Sequence, residues 1–483
     1  MPARDFIVAI ELGSSKVTGI AGKKNLDGSI QVLAVVKEDS SSFIRKGIVY
    51  NIDKTAQCLT NIVKKLTNTL KTEISHVYVG VGGQSIRSVK NEIIKDLPTD
   101  TIVKQEMVNE LMDANRNMTY PDQEILDAAT QEYKVDSQYQ QDPVGIQCSR
   151  LTGNFLNILW RKLFYKNLNK CFDQAGIAIA EMYLAPLALA DSVLTDAERR
   201  SGCALVDLGA DTTTVSVYYK NILRHLAVIP LGGSNITKDI ASLQMEESEA
   251  EKMKLKYASA YTDNNDIDNT LMLPIDAERS VESRKFIDIV EARLEEIIAN
   301  VWYQVPNEYA DKLLGGIILT GGGSNMKNIE KAFRNHTHVE KIRTAKFVLN
   351  SIHANTPDIN NHNGMMNTVL GLLAKGDMNC AGNEISENGD LFGPKSPSTT
   401  TADIHNKPRT ANEIKSGIVI TEAEKLKAQE EAERKAQEDA ERKAKEEAER
   451  KAKEEAERKA NAGMKKTLSK FRTFVNKFLT EEE

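Results

Sequence analysis

Glu11-Leu12-Gly13-Ser14-Ser15-Lys16 and Asp207-Leu208-Gly209-Ala210-Asp211-Thr212 are two versions of one pattern: an acidic residue, an apolar one, a glycine, then small polar residues. Each closes a short apolar run, residues 6–10 in the first copy and 204–208 in the second. A second run follows (16–22, then 213–219), and a third comes after a turn signal, 29–36 behind Asp27-Gly28 and 222–229 behind Lys220-Asn221. Such runs between turn residues read as antiparallel strands. From Asn51 onward, Ala56, Leu59, Ile62, Val63, Leu66 and Leu70 recur at helical spacing, and 77–81 is a further strand. The first copy therefore reads β-β-β-α-β. The second begins the same way, with a helix expected over 234–243 behind a capping Ser234. Two such units face to face leave a cleft with an acidic residue at each strand end and two hairpins of small residues beneath.

Small residues suit a phosphate chain, which must come within hydrogen-bonding distance of backbone N–H groups. Ser14, Ser15 and Thr212 add hydroxyl donors, and Lys16 adds a point positive charge. Glu11 and Asp207 suit a hydrated magnesium ion, which keeps several waters and takes few carboxylates. A third element, a buried strand over 315–320, runs into Gly321, Gly322, Gly323 and Ser324 with a helix expected from Met326. Strand, Gly-rich turn and helix start form a platform against which a base or phosphate can lie. The pattern is neither a Walker loop nor a dinucleotide GxGxxG.

The chain has 483 residues and a formal charge of -6, with 41% hydrophobic and 27% charged residues, which excludes collagen-like, mucin-like and wholly disordered chains. Residues 421–483 carry 17 basic against 17 acidic residues, so residues 1–420, with 46 against 52, hold the whole net charge. An acidic body argues against nucleic acid as a partner. Five scattered cysteines without a CxxC pair fit reduced thiols in a cytosol. No apolar stretch reaches the length of a membrane span, and the first residues lack the basic start of a signal peptide, so a cytoplasmic body is expected.

In their order and spacing the three loops resemble the nucleotide-binding core shared by actin, heat-shock chaperones and sugar kinases. The resemblance implies an α/β, actin-like fold, with two ribonuclease-H-like halves around a nucleotide cleft that takes ATP and Mg2+. Glu11 to Lys16 is then the first phosphate loop, Asp207 to Thr212 the second and Gly321 to Ser324 the adenosine loop. Residues 180–190 and 364–373 look like the two helices that cross between the halves. Ala210 and Asp211 stand where that family has glycines, and Asp211 beside phosphates is repulsive unless it binds metal or turns away. This implies at most a weak ATPase.

Residues 86–160 are too long for a loop and read as an inserted subdomain. Ile125-Leu126-Asp127, Tyr133-Lys134-Val135-Asp136 and Asp142-Pro143-Val144-Gly145-Ile146 resemble segments of the bacterial cell-division FtsA family, as do Leu223-Arg224-His225 and the run from Val228 through Gly233 to Ala241. The resemblance covers about residues 5–376. It implies self-association into actin-like protofilaments, binding of the C-terminal peptide of the tubulin-like protein FtsZ, contacts with other division proteins through the insert (subdomain IC), and a place on the cytoplasmic face of the membrane at the septum. Glu251 and Lys254 map to positions facing the ribose, and Arg284 and Arg293 are candidates for the acidic residues of the FtsZ peptide. The implied domains are 1–85 with 161–200 (IA), 86–160 (IC), 201–233 with 310–376 (IIA) and 234–309 (IIB). Competing readings are a sugar kinase or efficient ATPase, which needs a substrate base in the cleft; a chaperone, which needs a β-rich peptide-binding domain after the core; and a pilus-assembly relative.

Beyond residue 376 the periodicity disappears, and 377–420 reads as a disordered linker reaching roughly 35 Å as a flexible coil. Residues 421–462 carry the octapeptide AERKAKEE and its variants, with Glu four residues before a basic residue in Glu430 and Arg434, Glu438 and Arg442, and Glu446 and Arg450. Residues 428–460 lack Leu, Ile, Val, Met and Phe, which excludes a coiled-coil seam and favours a lone charged helix of roughly 60 Å. After Gly463 the composition changes. Met464, Leu468, Phe471, Val475, Phe478 and Leu479 fall within an arc of about 100°, with Phe474 beside it. Lys465 and Arg472 edge this stripe, and Lys466, Lys470 and Lys477 lie opposite. Residues 463–483 therefore read as an amphipathic helix for an anionic membrane surface.

Overall fold

Val8, Ala9 and Ile10 are wholly buried because β1 (Ile7–Leu12) lies in the middle of a seven-stranded sheet. The computed structural model describes residues 5–384 and 417–419, and Arg434 alone of the repeat. The charged repeat and the terminal amphipathic stretch, with all twelve of its proposed membrane residues, otherwise lie outside the described residues.

β1 continues into β2 (Lys16–Lys24) and β3 (Ile30–Asp39), then a small ribbon of β4 (Ile44–Arg45) and β5 (Ile48–Val49). α1 (Ile52–Leu70) starts where Asn51 accepts a hydrogen bond from the Lys54 amide, and its apolar stripe, Leu59, Ile62 and Leu66, is fully buried. β6 (Thr72–Ile74) and β7 (Val77–Val81) follow. The insert comprises β8 (Arg87–Ile102), α2 (Gln105–Arg116), β9 (Gln123–Val135), β10 (Gln138–Gln140) and β11 (Gln147–Arg161), with a core of its own around Leu151 and Phe155. α3 (Lys162–Ala175), β12 (Ile179–Leu184) and α4 (Ala185–Val193) return to the first half.

α5 (Asp196–Ser201) leads to β13 (Cys203–Leu208), β14 (Thr213–Tyr219) and β15 (Ile222–Ile229). Next come α6 (Gly233–Ala241), α7 (Glu247–Tyr257), the ribbon β16 (Met272–Pro274) and β17 (Ser280–Glu282), α8 (Ser283–Gln304) and α9 (Asn307–Ala310). The described chain ends with β18 (Gly316–Thr320), a 3-10 turn at Gly322–Asn325, α10 (Ile329–Thr337), β19 (Ile342–Thr344), β20 (Ile352–His353), α11 (Pro357–Asn360), α12 (Asn367–Lys375), β21 (Ala381–Glu384) and β22 (Ile418–Val419).

The first sheet runs β20-β3-β2-β1-β7-β12-β22. The second runs β10-β9-β11-β8-β15-β14-β13-β18-β19, so the insert's sheet continues into that of the second half where Arg87 pairs with Ala227.

Several expectations are corrected. Residues 180–184 are strand, and the crossing helix begins only at Ala185, with Pro186 in its first turn. A continuously apolar run does not tell strand from helix, whereas proline early in a helix marks its start. α6 starts at Gly233 rather than behind a capping Ser234, whose amide donates to Ala210 O. The helix expected from Met326 starts at Ile329. Residues 352–353 and 367–375, assigned above to the second half, pack on the first: Ile352 pairs with Ile30, and the buried Val369, Leu370, Leu372 and Leu373 of α12 cover β1, β2 and β7. The stretch 377–420 is not linker throughout. The Asp377 carboxylate accepts from Tyr78 OH, β21 pairs with β6, and residues 417–419 are buried against β12.

Candidate functional site

The two hairpins have one backbone geometry. In the first, Gly13 N donates to Lys16 O at 3.0 Å; in the second, Gly209 N donates to Thr212 O at 2.9 Å. The acids occupy equivalent rungs, Glu11 opposite Thr18 and Asp207 opposite Thr214. A Cβ on either glycine would lie 2.7 Å from Lys16 O or 2.8 Å from Thr212 O, so both turns need glycine for the close approach of the two strands.

What holds each hairpin differs. Ser40 Oγ donates to Gly13 O at 2.7 Å, and Ser14 Oγ accepts from Gly47 N at 2.8 Å. On the other side, Gly233 N donates to Gly209 O at 3.0 Å and Ser234 N to Ala210 O at 2.7 Å. Asp211 turns away from its own loop, and its Oδ2 accepts from Lys46 N at 3.1 Å, across the cleft. The Asp211 carboxylate is thus aimed at a backbone donor of the opposite half.

At the cleft floor, burial pushes Glu11 up to about 7, reinforced by the neighbouring Asp207 and opposed by Lys16 and a hydrogen bond from Thr368. Burial pushes Asp207 up to about 6. Lys16 is lowered, first by burial and then by Lys37. Two adjacent carboxylates that resist ionisation form a hard-oxygen pair suited to a divalent cation that keeps its waters. Among the described residues no group of three or more His, Cys, Asp or Glu gathers as a metal cage, so an ion at this pair would need water and ligand oxygens to complete its shell.

The Gly-rich turn joins the second hairpin. A Cβ on Gly321 would collide with the Asp207 carboxylate, and one on Gly323 would lie 2.9 Å from Leu208 Cβ. Ser324 Oγ donates to Gly321 O at 2.7 Å, so its hydroxyl closes the turn from within. Gly322 is exposed. Lys254 Nζ donates to Gly233 O at 3.0 Å and to Thr237 Oγ1 at 2.8 Å and pairs with Glu251 at 2.7 Å, so Gly233, Glu251 and Lys254 form one cluster. Ser15 is exposed at the first turn. Arg284 pairs with Asp288 at 3.0 Å on the exposed face of α8, and Arg293 is bound to Asp239 and Glu296. The two arginines therefore do not present equivalent free guanidinium groups.

Sequence reasoning missed Ser40, Lys46, Gly47, Thr237, Asn367 and Thr368. Asn367 is buried at the start of α12, where its Nδ2 donates to Thr320 Oγ1 at 3.0 Å and Ala345 O at 2.8 Å, while its Oδ1 has no partner among the described residues. The one signal in the sequence is Gly47 itself, a turn residue, which the fold places against Gly83.

Two half-sheets around a cleft floored by matched hairpins place this chain in the actin-like class of proteins. The family model described as "Cell division protein FtsA" matches residues 204–365, and the one described as "SHS2 domain inserted in FTSA" matches 83–159. The cell division protein FtsA of Porphyromonas gingivalis is 33% identical over 67% of this chain and 69% of its own length, and that of Neisseria meningitidis 31% identical over 67% and 80%. Among solved structures, a chain of the PilM-PilN type IV pilus biogenesis complex aligns with a TM-score of 0.52 over 76% of this chain and 97% of its own, at 14% identity, a likeness of fold alone. The chain belongs to the cell division protein FtsA family.

Proposed function

We propose that this chain binds ATP with Mg2+ in the cleft, self-associates as an actin-like protofilament, and holds FtsZ at the cytoplasmic face of the membrane at the division septum. The carrying observation is the matched pair of hairpins with Glu11 and Asp207 at equivalent rungs. In this reading Gly13 to Lys16 and Gly209 to Thr212 offer backbone N–H groups and hydroxyls to the phosphates, and Lys16 adds charge. Glu11 and Asp207 hold the hydrated ion, which neutralises phosphate charge. Gly233, Glu251 and Lys254 flank the ribose, and Gly321 to Ser324 back the base. Asp211 is directed at Lys46 and away from the phosphates, which fits a nucleotide-regulated structural protein with at most weak ATPase activity.

Arg284 is the better placed of the two arginines for an acidic FtsZ peptide, because Arg293 must first give up Asp239. Subdomain 86–160 would meet other division proteins. Membrane contact rests on Met464, Leu468, Phe471, Phe474, Val475, Phe478 and Leu479, each worth roughly 1.5–3 kcal/mol at full burial. Lys465, Lys466, Lys470, Arg472 and Lys477 add about 1 kcal/mol each near an anionic leaflet. Ordering the peptide offsets much of this, so one hook binds reversibly and an array binds strongly. Among the described residues no helix is long and apolar enough to cross a membrane.

The cleft is tested by Glu11→Ala with Asp207→Ala: binding of ATP and magnesium equal to wild type would place the site elsewhere. The hook is tested by co-sedimentation with anionic liposomes, with and without ATP. A protein ending at Asn461 that still pelleted would refute it.

A further inference from the structure

The first sheet does not end at β12. Beyond residues 385–416 the chain returns, and Ile418 and Val419 pair antiparallel with Tyr183 and Met182. Residues 417–419 are all buried, at an edge where β12 would otherwise present unpaired backbone groups. Gly417, at φ +92°, bridges two parts of the molecule. Its carbonyl accepts from Leu184 N at 2.7 Å, and its amide donates to Asp127 Oδ2 at 2.7 Å. Asp127 belongs to β9 of the inserted subdomain and is only 6% exposed. Its other oxygen accepts from Ala128 N at 2.8 Å. Burial raises its pKa, opposed by the Gly417 and Ala128 amides and by Arg116 on α2.

We propose that the β12 edge and Asp127 form a strand-acceptor site for this chain's own residues 417–419, and that the docked strap clamps the inserted subdomain to the first half. Main-chain pairing gives such a site its affinity, and the apolar side chains of Ile418 and Val419 give it selectivity. Two paired residues form a very short strand, so occupancy depends on the Asp127 bond. The coupling is reciprocal: displacing the subdomain frees the root of the tail, and pulling the tail loosens the subdomain. None of this depends on nucleotide or lipid.

Hydrogen exchange on the full chain tests the clamp. In Ile418→Asp, the Leu184 amide and residues 125–131 of β9 should exchange about tenfold faster or more, while β13 stays unchanged as a control for folding. In Asp127→Asn, residues 417–419 should lose protection by a similar factor. If residues 417–419 of the wild type exchange as fast as an unstructured chain, or if each variant leaves the other partner's protection intact, the clamp does not exist. A second measurement fixes the source of the strap. All five native cysteines are buried, so Met182→Cys with Val419→Cys adds a pair that should oxidise within one chain. A disulfide-linked dimer instead would overturn the assignment of the strap to its own chain.

Discussion

The two phosphate-loop candidates share a backbone and differ in what restrains them. The first is tied within its own half, by Ser40 to Gly13 and by Ser14 to Gly47. The second is tied to α6 through Gly233 and Ser234, and its Asp211 reaches over to Lys46. Lys46 and Gly47 are neighbours in the turn between β4 and β5, with φ of 52° and 71°. Two consecutive amides of one small ribbon therefore serve loops of opposite halves. A duplicated hairpin supplies the symmetric part of a cleft. The asymmetric part comes from a ribbon with no counterpart between β15 and α6 of the second copy.

Breaking the shared turn should have the largest effect. Gly47→Val places a β-branched side chain at positive φ, with its Cβ 2.5 Å from Gly83 Cα. Strain and overpacking together should cost about 3 kcal/mol in urea unfolding. A loss below about 1 kcal/mol would mean that the turn is not fixed by its contacts. Next, Gly13→Ala and Gly209→Ala each press a methyl against a carbonyl oxygen at nearly equal distance, so each should cost about 2 kcal/mol. Equal losses would show that the hairpins are energetically equivalent. A difference of more than about 1 kcal/mol would place the asymmetry in the backbone itself.

The carboxylates give a pH signature. Glu11 and Asp207 have folded values of about 7 and about 6, above their ordinary values of 4.5 and 3.8. An acid raised on folding contributes stability that is complete below its unfolded value and is lost as pH rises through its folded value. Metal-free protein should therefore lose stability between about pH 4 and about pH 7. Glu11→Gln should flatten that slope, because it removes one of the two titrations and leaves only that of Asp207, which burial raises. Thermal unfolding in chelator across this range checks the sign; stability that rises toward neutral pH in wild type but not in the variant would contradict it.

The hairpins were legible because their chemistry is local: an acid, a glycine and small residues within six positions, twice. Structure at 377–384 and 417–419 is hidden in the sequence because the composition of the stretch is polar on average. Yet Gly417-Ile418-Val419 is a β-branched run, and only the distant β12 edge and Asp127 give it a partner. Residues 180–184 were read as helix for a related reason: a strand buried on both faces shows no alternation. Lys46 escaped because it acts through its main-chain amide, Thr368 because it meets Glu11 across hundreds of residues, and Asn367 because its partners Thr320 and Ala345 lie on other elements, so residue type alone carries no signal.

The smallest effect is the most informative about that asymmetry. Ser14→Ala removes the acceptor of a partly buried amide, Gly47 N, and should cost about 1 kcal/mol. Asp211→Ala removes the acceptor of an exposed amide, Lys46 N, which water can replace, so its cost should be no more than about 0.5 kcal/mol. Stability thus ranks the within-half tie above the cross-cleft one, whereas the two are expected to part ways in exchange. Asp211→Ala should speed Lys46 and leave Gly47 protected, because only the contact between halves is lost. Ser14→Ala should do the reverse. If the double variant equals the sum of the single ones within about 0.5 kcal/mol, the two amides are independent and the second loop can let go of the ribbon while the first holds it. If Asp211→Ala also exposes Gly47, the ribbon moves as one piece, and the cleft opens by releasing both loops together.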